Sequence, residues 1–417
     1  MLKTKKLLLL VLVACVALSS LAWAGATKEA KPVKIGALLP LTGALSEYGA
    51  GFRKAGDLAA EQLAAAGFPI DLRYGDTETS AIPGVEVART LVNVEKVVAL
   101  IGAASSGVTI PVAETVAIPN QIPQLSYAST SKLITVLPSD QGKDFLFRTT
   151  ASDAIQGVVL GRETAKGGAR RAAVMYVNNA YGQGLLEDFQ KSFEANGGKV
   201  VAAVPHDEKP APTYVTELRK CMQANPDVML ALSYPGQATV FLKEFFEAGY
   251  QKTCALVFCD GTKSVELPKA LGPKTLAGYQ GTAAAPAAGV SVDTFKRDFR
   301  TKFGDLPPLP YLDTVYDGIV IAALAAAAAQ DKGLPLTGVN VRDQLRYVAD
   351  PPGEVVTPGV EGIKKALELL KAGKDINYEG AGGSQDFDQN GDVVTPVEIW
   401  KFIDHEPYIE TVRLETP

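Results

Sequence analysis

The stretch Val97-Val98-Ala99-Leu100-Ile101-Gly102-Ala103-Ala104-Ser105-Ser106-Gly107-Val108-Thr109 decides the fold. Val97 to Ile101 is a short apolar run of the kind that forms a buried strand, and from Thr109 onward the pattern is helical. Gly102 to Gly107 therefore spans the point where a strand gives way to a helix. At such a helix start, unpaired backbone N–H groups and the positive end of the helix dipole can hold an anion, for example a carboxylate. A serine there also serves as an ordinary N-cap. These residues alone leave both roles open.

Outward from this unit, short apolar runs alternate with longer amphipathic ones. Strands are expected at Val33–Leu39, Ile70–Tyr74, Val97–Ile101, Gln124–Tyr127 and Phe145–Arg148, then at Ala172–Val177, Val200–Val204, Val228–Leu232 and Ala255–Phe258. Between them helices are expected, among them Gly49–Ala65, Ile110–Ala117, Ile155–Lys166, Gly184–Glu194 and Ala238–Ala248. Such alternation implies parallel sheets with helices on both faces, and two successive series imply two α/β domains. After Gly281 the pattern turns helical (Val292–Phe303, Asp313–Ala329, Val341–Val348, Gly362–Leu370). It ends in extended segments at Val393–Ile403 and Tyr408–Leu414, joined by a turn near His405.

The first 24 residues read as a signal peptide: Lys3, Lys5 and Lys6, an apolar run Leu7 to Leu21, and the small-x-small pattern Ala22-Trp23-Ala24. Cleavage is expected after Ala24, placing the protein in the periplasm. Leu12-Val13-Ala14-Cys15 is a rival lipoprotein box in which Cys15 would be acylated. The alanine-rich Ile319 to Ala329 run is only about three turns long and is expected against a core rather than across a membrane. The chain has 417 residues and a net charge of −5, and loss of three leader lysines makes it more acidic, a poor match to nucleic acid. Cys221, Cys254 and Cys259 would remain in an oxidising compartment, with Cys221–Cys254 as the expected disulfide and no zinc spacing.

Doubly wound folds bind ligands in the loops that follow their strands. Those loops carry Thr42 to Tyr48, Ser105-Ser106-Gly107 and Tyr127 to Ser131 in the first series. In the second they carry Asn178 to Tyr181, Ser233-Tyr234 and Cys259-Asp260-Gly261. One side offers hydroxyls and helix starts, the other tyrosines and a carboxylate. Such a cleft suits a zwitterionic amino acid.

These residues also carry a family resemblance over essentially the whole chain after the leader. Val33-Lys34-Ile35-Gly36-Ala37-Leu38-Leu39-Pro40-Leu41-Thr42-Gly43 followed by Tyr48-Gly49 resembles the opening of the periplasmic branched-chain amino-acid (leucine/isoleucine/valine) binding proteins, the substrate-binding proteins of ABC transporters. Ile101 to Thr109, Phe147-Arg148-Thr149-Thr150, Tyr181-Gly182-Gln183-Gly184 and Phe387-Asp388-Gln389-Asn390-Gly391-Asp392 follow in the family's order. The resemblance implies a two-lobed (type I) flytrap fold, each lobe a parallel-type sheet flanked by helices. Three crossovers would join the lobes at Thr149-Thr150, Gly278–Thr282 and Gly380–Asp386. Lobe one would comprise 25–149 and 282–380, and lobe two 150–281 and 381–417.

The resemblance further implies that Ser106, Ala128 (through its backbone), Ser129 and Thr130 hold the ligand's carboxylate and that Asp260 holds its ammonium group. Tyr48, Tyr181, Tyr234 and Tyr311 would line the pocket. The implied protein is a monomer without cofactor or metal that delivers a small apolar amino acid to the membrane subunits of a permease. Other readings keep the fold but bind an amide, urea or an aromatic carboxylate, or report ligand occupancy to a signalling protein.

Competing readings of individual motifs are weaker. Asp386 to Gly391 resembles the start of a calcium loop, but its twelfth position is Val397 and no helices flank it, so a turn between strands is expected. Only His206 and His405 are present, and neither lies in a cleft loop. Walker A and nucleophile-elbow patterns are absent. A Ser106–His206–Asp260 triad is the one enzymatic arrangement the sequence leaves open.

Overall fold

The computed structural model describes residues 32–415. The expected leader, the cleavage after Ala24 and Cys15 lie outside them. The first lobe is built on a five-stranded parallel sheet of β1 (Val33–Leu39), β2 (Ile70–Asp76), β3 (Leu100–Ile101), β4 (Gln124–Ser126) and β5 (Leu146–Arg148), in the order β2-β1-β3-β4-β5. The second has seven strands. They are β6 (Arg171–Val177), β7 (Lys199–His206), β8 (Val228–Leu232), β9 (Ala255–Phe258) and β10 (Gln280–Ala284), together with two strands, numbered last below, that return from the C-terminus. A small third sheet joins β11 (Glu354–Val356), β12 (Ile376–Gly380) and β13 (Gly383–Ser384). The returning strands are β14 (Val397–Phe402) and β15 (Ile409–Glu415), and the second sheet runs β15-β14-β10-β9-β8-β6-β7.

β1 and β8 are almost entirely buried, as strands covered by helices on both faces must be, which is why they read as continuous apolar runs. β10 has the sequence QGTAA and little strand propensity of its own, so it went unread. Its neighbours impose the conformation. It pairs antiparallel with β14 from Gln280↔Lys401 to Ala284↔Val397, and a Cβ on Gly281 would lie 2.5 Å from the Trp400 ring. β10 runs straight through the expected Gly278–Thr282 crossover, so the chain leaves this sheet only after Ala284.

The helix Leu312–Asp331 contains the alanine-rich run. Its apolar stretch is long enough to pass for a membrane span, yet almost all of it is buried, packed between the helices Ser46–Ala65 and Gly338–Ala349. Its small side chains let those helices approach closely, as expected for a core helix. Asp317, wholly buried on this helix, accepts hydrogen bonds from the backbone N–H groups of Ala381 and Gly382 (both 2.7 Å) and from the Tyr378 hydroxyl (2.9 Å). It thereby pins the segment that follows β12.

Arg148, at the end of β5, is fully buried. Its Nε and Nη2 reach the two Asp392 oxygens at 2.7 and 2.6 Å, while the same guanidinium donates to the carbonyls of Ser129 and Ser131 and to the Thr135 hydroxyl. The turn carrying Asp392 closes on itself, with Asp388 Oδ1 accepting from the N–H groups of Asn390 and Asp392 and Gly391 at φ +76°. The segment that resembled a calcium loop is thus a self-capped turn that delivers a carboxylate to Arg148. The expected Cys221–Cys254 disulfide is not present: Cys221, Cys254 and Cys259 are buried free thiols, and burial pushes each up to about 12.

Replacing Asp392 with alanine leaves a buried guanidinium unpaired and is expected to lower stability by about 3–5 kcal/mol in urea unfolding. A pH effect is expected at Asp317, whose carboxyl burial pushes up to about 7. The folded chain then keeps this proton up to near neutrality, whereas the unfolded chain releases it near pH 4. This residue therefore favours the folded state increasingly as pH falls from about 8 toward 5. Thermal melts of Asp317→Asn across that range should lose this contribution.

Candidate functional site

Tyr48, Ser106, Ala128, Tyr181, Tyr234, Asp260 and Tyr311 converge on one small cavity between the lobes, joined by Leu45, Phe52, Ala104, Ser105 and Gly261. Three of the converging residues stand within a first helical turn rather than in loops. Tyr48 lies in the helix Ser46–Ala65, Ser106 opens Ser106–Val112, and Tyr181 is the second residue of Ala180–Ala195. These helices start three to four residues earlier than their apolar periodicity implied, because first turns are polar and carry the cleft groups. Tyr234 caps the helix Pro235–Glu247, and Asp260 begins a short 3₁₀ turn after β9.

Ser105 is the N-cap, accepting from Gly107 N–H at 3.2 Å, and its hydroxyl meets the Tyr234 hydroxyl at 3.0 Å across the cleft. Ser106 accepts from Ser131 N–H. The cap and the cleft role therefore divide between adjacent serines. A carboxylate already stands beside this helix start: Glu208 Oε1, from the second lobe, accepts from Ser105 (3.2 Å) and Asn179 (2.7 Å).

Asp260, 3% exposed, accepts from the Tyr181 hydroxyl (2.7 Å), Gln156 Nε2 (2.8 Å) and the Tyr311 hydroxyl (2.8 Å). All three donors are neutral, and among the described residues no lysine, arginine or histidine is hydrogen-bonded to it. Burial raises its carboxyl against these bonds. Gly261 follows because a Cβ there would lie 2.5 Å from the Ser233 carbonyl. Tyr181 and Tyr234 stack at 5.6 Å with their planes 13° apart. Tyr311, after the proline-rich Pro307-Pro308-Leu309-Pro310 segment, donates to Asp260 from a left-handed backbone (φ +69°) and lines the cavity.

Two expected residues do not reach the cavity. Ser129 spends its hydroxyl on Thr109 (2.8 Å) and the carbonyls of Ala103 and Ala104, inside the first lobe. Thr130 donates its hydroxyl to Asp153 Oδ2 at 2.8 Å. The carbonyls of Ser129 and Ser131 in the same loop accept from the Arg148 guanidinium (3.4 and 3.0 Å). Sequence reasoning missed Ser105 as a cleft hydroxyl and overlooked Asp153, Gln156 and Glu208. Gln156 and Asp153 lie in the first turns of the helix Asp153–Lys166, where a D-x-x-Q spacing was the only available signal. His206 lies away from the cavity, with Nε2 2.9 Å from the Ser233 hydroxyl, so Ser106, His206 and Asp260 form no triad.

The lobes are closed on each other. Tyr48 donates to the carbonyls of Gly261 (3.2 Å) and Lys263 (3.3 Å). Glu47 accepts from the Ser264 hydroxyl and from Val265 N–H (2.9 Å), acting as a cap for the helix Glu266–Leu271 of the opposite lobe. The cavity between them is about 20 Å³, room for little more than a water. A larger groove of about 600 Å³ lies beyond Tyr311, which borders both spaces.

The model of the family described as periplasmic binding protein matches residues 32–399. The chemotactic signal transduction system substrate-binding protein BasB of Halobacterium salinarum is 28% identical over 392 residues, covering 90% of this chain and 88% of that protein. The Leu/Ile/Val-binding protein homolog 1 of Brucella suis is 27% identical, covering 76% of this chain and 81% of its own length. Among solved structures, the leucine binding protein LivK from Thermotoga maritima superposes with a TM-score of 0.74 at 22% identity, covering 92% of this chain and 99% of LivK.

Glu47→Ala removes the cap that one lobe supplies to the other. Solution scattering should then show a more open, larger radius of gyration than the parent chain, with an unchanged far-ultraviolet spectrum.

Proposed function

Since the chain belongs to the periplasmic binding protein family, we propose that it is the extracytoplasmic receptor of an ABC importer and closes its two lobes on a small apolar amino acid. One observation carries this reading: Asp260 is a buried carboxylate at the cavity wall with three neutral donors and, among the described residues, no cationic partner. An isolated buried charge is costly, and a ligand ammonium supplies the missing partner. The Ser105–Ser106 helix start on the other lobe suits the ligand's carboxylate. Tyr48, Tyr181, Tyr234 and Tyr311 give its side chain an aromatic enclosure.

Binding requires the lobes to part, because the closed cavity is too small for an amino acid. The ligand then takes over bonds the lobes make with each other, such as those from Tyr48 to Gly261 and from Tyr311 to Asp260. Lobe one is read as 25–149 with 285–380 and lobe two as 150–284 with 381–417, the middle boundary moved from 281/282 to follow β10. Export by the 1–24 leader and docking of the closed monomer on permease subunits complete the proposal. The likeness to the Leu/Ile/Val-binding protein homolog supports the ligand class.

The likeness to BasB over most of both chains favours a second use of the same clamp, reporting occupancy to a signalling protein. A neighbouring gene for a permease and ATPase, or for a chemotaxis receptor, distinguishes the two. For the ligand, L-leucine, L-isoleucine and L-valine titrated calorimetrically should bind, and Asp260→Ala should weaken them about 100-fold. Benzoate and acetamide, which lack an ammonium group, serve as controls. Unchanged leucine affinity in Asp260→Ala overturns the amino-acid reading.

A further inference from the structure

Resting on the amino-acid reading of the cleft, we propose that Glu208 determines specificity at the carboxylate end of the ligand. It is a resident anion that selects against a free carboxylate and in favour of the neutral amide. Glu208 lies in the loop after β7, in the second lobe, yet its carboxylate reaches the first. Oε1 accepts from Asn179 Nδ2 (2.7 Å) and from the Ser105 hydroxyl (3.2 Å). The same Asn179 amide donates to the Tyr234 hydroxyl, which in turn meets Ser105, so these side chains close a ring across the interface. The backbone behind the carboxylate is held as well: buried Gln237, on the helix that Tyr234 caps, donates to the Glu208 carbonyl. The first lobe is shaped to receive this group. A Cβ on Gly107 would lie 2.9 Å from Glu208 Oε1 and 3.1 Å from Asn179 Cβ, so any other residue there would crowd the carboxylate.

Among the described residues no lysine, arginine or histidine forms an ion pair with Glu208, and the charge acting on it is that of Asp207, of the same sign. Burial raises its carboxyl, and the bonds from Asn179 and Ser105 work against that rise. Ser105 is the link to the ligand, since it lines the cavity on one side and holds Glu208 on the other. A ligand carboxylate seated at the Ser105-Ser106 turn meets a hydroxyl already given to another carboxylate. The residues that line the cavity include no cation to stand between the two. Like charges placed side by side in an enclosed site oppose binding strongly. A carboxamide in place of the carboxylate escapes that repulsion and leaves the ammonium group free to meet Asp260. Glu208 thus acts on the end of the ligand that Asp260 does not touch.

The test is calorimetric titration of the whole chain with L-leucine and with L-leucinamide at about pH 7. Glu208→Gln removes the charge, while its amide oxygen still accepts from Asn179 and Ser105, so the ring is kept. This variant should bind leucine about 10-fold more tightly than the parent and leucinamide with unchanged affinity. A residue that merely supports the loop would give the reverse, weaker binding of both ligands. Leucine affinity that is unchanged or reduced in Glu208→Gln overturns the proposal, and so does an equal gain for both ligands. The parent alone gives a second reading: leucinamide should bind within a few-fold of leucine, and a preference for leucine of about 100-fold or more overturns the proposal without any variant. If leucine binds neither the parent nor the variant, the amino-acid reading falls and takes the proposal with it. If leucine binds the parent and Asp260→Ala weakens it while Glu208→Gln changes nothing, only the role of Glu208 fails.

Discussion

The buried guanidinium of Arg148 is the constraint on which the rest of the molecule depends. A charge with no exposure must be both neutralised and fully hydrogen-bonded, and Arg148 achieves this only by gathering distant parts of the chain. Asp392 comes from the turn before the C-terminal strands, Ser129 and Ser131 from the loop after β4, and Thr135 from the short helix beyond it. The first crossover starts one residue after Arg148. The same ion that anchors the end of β5 thereby fixes where the polypeptide leaves the first lobe.

A second anchor acts at the far end of the hinge. Asp317 reaches from the most buried helix to the backbone of Ala381 and Gly382, so the segment after β12 is tied to the core of the first lobe. Between these anchors the cleft follows the opposite rule. Its carboxylate, Asp260, is buried among neutral donors, and the hydroxyls of Ser105 and Tyr311 bond across the interface to Tyr234 and Asp260. The anchors are satisfied internally and hold the hinge segments. The cleft groups are left wanting a charge that the protein does not supply, which is the chemical basis for reading it as a binding site.

Much of this was legible in the residues. β1, β8 and β9 begin and end where their apolar runs do, since a strand covered on both faces has no other way to be written. Seven of nine expected site residues meet at one cavity because loops after parallel strands all open on the same edge of the sheet. Ser129 and Thr130 do not line this cavity, because their hydroxyls bond to Thr109, two carbonyls and Asp153, partners that spacing along the chain does not reveal. Neither β10 nor the Cys221–Cys254 pairing could be read correctly: one is made a strand by its neighbours, and the other depends on spatial relations that spacing does not encode.

By itself the sequence determined the two α/β series, the apolar cores of their strands, and the loops that bring hydroxyls, tyrosines and one carboxylate to the strand ends. Local periodicity and turn chemistry are enough for that. Only the tertiary structure decided which side chains face the cleft and which are spent inside a lobe. It also decided that Ser105 and Ser106 divide the cap and cleft roles, and that Asp153 and Gln156 stand behind Asp260. Those outcomes follow from which buried polar groups find partners, and partners far apart in the chain meet only once the lobes have folded and closed.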